Sequence, residues 1–286
     1  MRKKLVALSL VLIFAVCVTL FLRMMPDLLT LMNSYQLSFW VSVFMFVPLN
    51  VVYLFLYALG FSNKSTASVM MSFGASLFLY GGLFLFVMSV ERVGLNSSLS
   101  LLFIAPLLFL ILAPLFSKES VNGAQTLAVI LIAAGAACIF YSKGLIHPTS
   151  WESISYIIGA AACWAIFSLM ALKTKSGIFV NVYIYMFVGL IASAILMFVQ
   201  SSFILPVYSS VGTLLIFGAL VATSIFLWSG IFRYSSASYW AAMVYIVPSI
   251  MLLYEVIYKS ANVPVIAIIG MGVTGLAVVY RTIIKM

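Results

Sequence analysis

The chain is a succession of apolar runs, each about long enough to cross a bilayer, joined by short polar turns. A membrane-spanning helix needs roughly 20 predominantly apolar residues. Ten such runs are readable, at about 1–22, 35–59, 67–90, 96–116, 123–141, 153–172, 179–199, 211–232, 238–258 and 263–280. The pattern predicts an all-α membrane protein with ten transmembrane helices. Apolar residues make up 66% of the 286 and charged residues 7%, more apolar surface than a water-soluble core can hide. Water-soluble enzymes and nucleic-acid binders are thereby excluded. The formal charge of +9 is scattered over the turns and reads as membrane orientation.

One arrangement occurs twice. The run 96–116 contains Pro106, breaks at the turn Ser117-Lys118-Glu119-Ser120 and resumes in a stretch rich in Ala and Gly. Near the C-terminus a run containing Pro248 breaks at Lys259-Ser260-Ala261-Asn262 and resumes in one punctuated by Gly270, Gly272 and Gly275. Pro106 to Gly135 is 29 residues and Pro248 to Gly275 is 27. The longest polar connection, 143–152 with His147-Pro148 inside it, is the expected seam between two five-helix repeats, 1–145 and 146–286.

Counting Lys and Arg by side gives the orientation. With the N-terminus inside, ten fall on the inner face and four (Arg23, Arg92, Lys143 and Lys259) on the outer, which predicts both termini inside. Five helices per half is an odd number, so the second half enters the membrane inverted relative to the first. Arg2-Lys3-Lys4 and the apolar stretch after them imitate a signal peptide, but no small-x-small cleavage site follows, so this segment is expected to be retained as the first helix.

The segment Ser98 to Pro106, then Lys118-Glu119, Gln125 and Gly135, resembles the first-repeat signature of the drug/metabolite transporter superfamily, EamA-like branch. Trp164-Ala165 is similar to the Trp-Ala that opens that family's second repeat, and Trp240 to Pro248 to the second repeat's proline hairpin. The second hairpin has no acidic residue where the first has Glu119, and the first helix lacks the usual Trp. The resemblance implies a secondary transporter working by alternating access, an exporter of a small metabolite or drug-like solute such as an amino acid or aromatic compound. It also implies a pocket among the third, fourth, sixth, eighth and ninth spans. Short tails and no retention or transit signal lead to the expectation of a multi-pass protein of a bacterial plasma membrane.

Candidate solute-binding residues in those spans are neutral and mostly aromatic: Tyr80, Ser98, Trp164, Trp228, Tyr239, Trp240 and Tyr245. Aromatic walls suit flat, apolar or cationic ligands, although Trp and Tyr equally anchor helices at headgroups, as expected for Trp40 and Trp151. Pro106 and Pro248 are expected to kink their helices and to free the carbonyls of Leu102 and Val244. Glu255 is the one acid well inside an apolar run. It is either half of an interfacial pair with Lys259 or a group that couples transport to a proton or another ion. Glu91-Arg92 and Arg23…Asp27 sit at expected helix ends.

No enzymatic activity, cofactor or metal is expected. Cys17, Cys138 and Cys163 lie within apolar runs at no metal or redox spacing, His147 is the single histidine, and the five acids form no cluster. The expected partners are a small-molecule substrate, the lipid bilayer and a coupling ion, in a monomer or homodimer. The alternative is a non-transporting assembly factor or scaffold, which would have a filled interior.

Overall fold

The computed structural model describes residues 2–58, 69–116, 123–141, 150–174, 177–200, 203–231, 244–259 and 263–283. Among them every regular element is a helix: α1 Arg2–Leu29, α2 Ser34–Ala58, α3 Val69–Val93, α4 Leu95–Leu102, α5 Ala105–Phe116, α6 Gly123–Tyr141, α7 Trp151–Lys173, α8 Ile178–Val199, α9 Tyr208–Ile231, α10 Ile246–Lys259 and α11 Val265–Ile283. Helices satisfy every backbone group within one segment, which lipid demands. Six described helical segments are long and apolar enough to cross a membrane: Leu8–Leu29, Val69–Val93, Leu95–Ala113, Trp151–Lys173, Ile178–Val199 and Tyr208–Ile231. Their outward faces carry large apolar side chains, among them Ile13, Phe73, Ile158, Ile191 and Ile216. This is an all-α architecture of membrane type.

Three boundaries differ from the sequence reading, each for a local reason. The first helix runs past residue 22 to Leu29, through Pro26, because Arg23 meets a partner on another helix instead of ending the span. The second helix begins with a reciprocal cap. The Asn33 N–H donates to Gln36 Oε1 at 3.1 Å, and the Gln36 N–H donates to Asn33 Oδ1 at 3.0 Å. This is the capping-box arrangement with Asn in place of Ser or Thr.

The run 96–116 is two helices rather than one kinked helix. Gly94, at φ +80°, lets the chain reverse from α3 into α4. The break falls at Phe103-Ile104, and Pro106 sits in the first turn of α5, where a missing N–H costs no helical bond. Pro248 has the same place in the first turn of α10, after the turn at Val244-Tyr245. The Val244 carbonyl accepts from the Val247 N–H at 3.1 Å, so it is not released as the sequence suggested.

The helices pack in a definite set of partners. The third lies along α7, α1 along α9, α2 against α8 and α9, α3 also against α8, and α6 along α11. The last pair approaches very closely: a Cβ built on Gly135 would lie 2.7 Å from the Gly270 carbonyl oxygen, and one built on Gly270 would lie 2.5 Å from that of Gly135. Small residues at such a crossing replace the hydrophobic drive that lipid does not supply. Leu28, Leu37, Met45, Leu79, Leu99, Phe167, Tyr185 and Tyr245 are the large side chains buried most completely at the centre.

Candidate functional site

Two adjoining cavities occupy the space between the packed helices. The smaller, about 100 Å³, is walled by α1, α3, α4, α5, α7, α9 and α10, with Phe14, Phe86, Leu99, Pro106, Trp164 and Ser224 on its surface. The larger, about 370 Å³, lies between α1, α2, α3, α8 and α9, with Ser38, Ser42, Tyr80, Phe84 and Ser193 on its surface. Phe21, Leu83 and Val221 line both and form the partition between them. No Lys, Arg, Asp, Glu or His lines either cavity among the described residues.

Tyr80, Trp164 and Pro106 face these cavities. The ring of Tyr80 lies flat on Gly189, where any side chain would overlap it, and its hydroxyl donates to Met186 Sδ at 3.4 Å. Trp228 is buried behind the smaller cavity. Its ring packs 5.3 Å from that of Trp164 and 5.2 Å from that of Phe14, and its Nε1–H donates to Ser168 Oγ at 3.2 Å. Ser98 is fully buried and its hydroxyl donates to the Gly94 carbonyl at 2.9 Å. Tyr239 and Trp240 lie outside the described residues, as do His147 and the turn Lys118-Glu119.

Tyr245 is buried beside the smaller cavity, next to the lining residues Val244 and Phe103. It stands three residues before Pro248, as Phe103 stands three before Pro106. The two rings are 5.8 Å apart, and the Tyr245 hydroxyl donates to the Phe103 carbonyl at 2.6 Å. The carbonyl exposed by the break in one hairpin is therefore satisfied by the residue at the matching place in the other. Tyr245→Phe is expected to cost about 1 kcal/mol, measured by thermal denaturation of the purified protein, because it removes that cross-hairpin bond.

Two ion pairs join helices among the described residues. Glu255 on α10 pairs with Arg23 on α1, both side chains 16% exposed, and the guanidinium lies 5.8 Å from the centre of the Tyr254 ring. Arg23, placed by the sequence at a helix end beside Asp27, is thus the cross-helix partner of Glu255. Nearby in sequence register, Glu91 accepts from Ser34 at the start of α2, and Arg92 pairs with Glu152 at 3.1 Å. Trp151 is 85% exposed, as a headgroup anchor would be, whereas the Trp40 Nε1–H donates to the Ile204 carbonyl at 3.0 Å. No group of three or more His, Cys, Asp or Glu able to hold a metal occurs among the described residues.

The serines of the larger cavity were missed by sequence reasoning, though a signal existed. Ser34, Ser38 and Ser42 recur every fourth residue, which aligns them on one helical face. A short polar stripe on an otherwise apolar helix marks the face turned away from lipid.

The fold and its cavities define a class, an all-α membrane protein with an uncharged internal chamber. Beyond that class, no protein-family model matches the chain, and no curated protein does. Its architecture is similar to that of a solved structure titled "Crystal structure of protein", at a TM-score of 0.80 and 13% identity, covering 99% of this chain and 97% of that one. A likeness at that identity speaks for the fold alone.

Proposed function

We propose that the chain is a secondary transporter of a small solute, built as two inverted five-helix repeats, 1–145 and 146–286, in the manner of the EamA-like drug/metabolite transporters. The observation that carries the reading is the pair of cavities held between helices that pack in exchange. In this reading α1, α2, α3 and α6 of the first half correspond to α7, α8, α9 and α11 of the second. Exchange of the halves turns the contact of α1 with α9 into that of α7 with α3, and the contact of α2 with α9 into that of α8 with α3. It leaves α2 facing α8 and α6 facing α11, and it brings Phe103 opposite Tyr245. A two-fold relation of this kind supports alternating access, because a site between equivalent halves can close on one side as it opens on the other.

The cavities also favour transport over a scaffold, whose interior would have no reason to stay unfilled. The Arg23–Glu255 pair ties α1 to α10 at one end, the kind of contact that must part when that end opens. Protonation of Glu255 would release Arg23, which keeps Glu255 as the group through which a proton could be coupled. With both termini inside, that end is the outer one, and the membrane is the bacterial plasma membrane.

Counterflow in proteoliposomes across a broad panel of small metabolites tests the proposal. Saturable exchange of at least one class is expected. Ala192→Phe, which fills the larger cavity from α8, should lower it at least about tenfold while the protein remains folded. No exchange of any solute by folded protein would overturn the reading.

A further inference from the structure

We propose that the larger chamber takes an uncharged solute with an apolar, ring-sized body and at least one N–H or O–H donor. The inference rests on reading that chamber as the transporter's solute site, and it names the substrate class of the site.

The first observation is the absence of charge on the walls. Among the described residues neither cavity presents an ionisable group other than the Tyr80 phenol. A carboxylate or ammonium entering such a space would lose its water and gain no counter-charge. An amino-acid zwitterion is therefore a poor fit, and a neutral molecule a good one.

The second observation is the direction of the hydroxyl bonds. Ser42 donates its one hydrogen to the Ser38 carbonyl at 2.8 Å, and Ser193 donates to the Leu190 carbonyl at 3.1 Å. In the smaller cavity Ser224 donates to the Leu220 carbonyl at 2.8 Å. Tyr80 donates to Met186 Sδ and is also hydrogen-bonded to Ser42, so these two hydroxyls form one polar point of the wall. A hydroxyl carries one donor and two acceptor lone pairs, so each of these groups turns only acceptors toward the solute. Ser38 Oγ is buried without a hydrogen-bond partner and can serve either way. A solute bearing only acceptors would find lone pair facing lone pair at most polar points of the wall, whereas a donor is met at each of these hydroxyls.

Size and shape complete the match. A volume of about 370 Å³ falls within the range of small-molecule sites, and the rings of Phe21, Tyr80 and Phe84 offer aromatic contact.

Binding of radiolabelled indole, benzofuran and tryptophan to the purified full chain in detergent tests the inference, with Ala192→Phe protein as the blank for partition into micelles. Benzofuran keeps indole's shape with an ether oxygen in place of the N–H, and tryptophan adds two charges to the same ring. Indole is expected to bind saturably, benzofuran about fivefold more weakly, and tryptophan not at all. In the triple variant Ser38→Ala, Ser42→Ala, Ser193→Ala the indole-to-benzofuran ratio should fall to about one with the elution profile unchanged. Benzofuran binding as tightly as indole, or saturable binding of tryptophan, would overturn the inference even where solute exchange had upheld the transport reading. The expected ratios without any solute exchange would uphold it and defeat the transport reading instead.

Discussion

Gly270→Leu is expected to be strongly destabilising, and the same change at Gly272 or Gly275 nearly harmless. All three glycines punctuate one apolar run and look alike in sequence. In the structure a Cβ at Gly270 would lie 2.5 Å from the Gly135 carbonyl oxygen and 3.0 Å from Cys138 Cβ, whereas nothing lies within 4 Å at Gly272 or Gly275. The obstructing atom is backbone, which cannot rotate aside. Relief requires α6 and α11 to part along their crossing. A loss of about 3 kcal/mol follows from overpacking of this kind. Thermal denaturation in detergent should show a large drop for Gly270→Leu, and a change within about 0.5 kcal/mol for the other two, which replace glycine on an exposed face.

The second large effect is expected at the Arg23–Glu255 pair. Glu255→Ala should destabilise the protein by about 2–3 kcal/mol, below the full cost of breaking a sealed pair because both side chains keep some exposure. The cost arises chiefly from Arg23, whose Nε is already buried without a hydrogen-bond partner and which would lose its carboxylate. Arg23→Ala should cost a similar amount. The exchange Arg23→Glu with Glu255→Arg should recover at least half of either loss, because the two positions face each other across α1 and α10. If the doubly substituted protein is no more stable than the single variants, the pair does not hold those helices together.

The parts of this architecture that repeat locally were legible in the sequence; those that depend on contact across the fold were not. Apolar runs and polar turns placed the helices because lipid imposes their length. The broken hairpin was legible as a proline but not as a break. Whether Pro106 lies within a helix or opens one depends on what happens at Phe103, and the Tyr245 hydroxyl that satisfies the Phe103 carbonyl is remote in sequence. Arg23 and Glu255 are likewise far apart along the chain, so the sequence offered Lys259 as the nearer partner.

The chamber divides the same way. The helices expected to enclose a pocket all line the smaller cavity, but only α3 and α9 of them reach the larger, where α1, α2 and α8 supply the other walls. Which side chains face it was harder to read. The ninth helix is apolar all round, so no period reveals that Val221 and Ser224 face the cavities while Trp228 packs behind Trp164. Aromatic residues drew attention for their size, yet the polar atoms of the larger chamber come mostly from serines. The hydroxyls of Ser42 and Ser193 are inconspicuous because they bond back to their own helices.

Alternating access requires a chamber that opens to each side of the membrane in turn. Ser42→Cys, in protein whose Cys17, Cys138 and Cys163 are replaced by Ser, places one thiol on its wall. A membrane-impermeant thiol reagent applied separately to each face of oriented vesicles, with solute present to drive the cycle, should modify that thiol from both faces. Ala192→Phe in the same protein should suppress the reaction from both. Modification from one face only, or from neither, would contradict alternating access through this chamber.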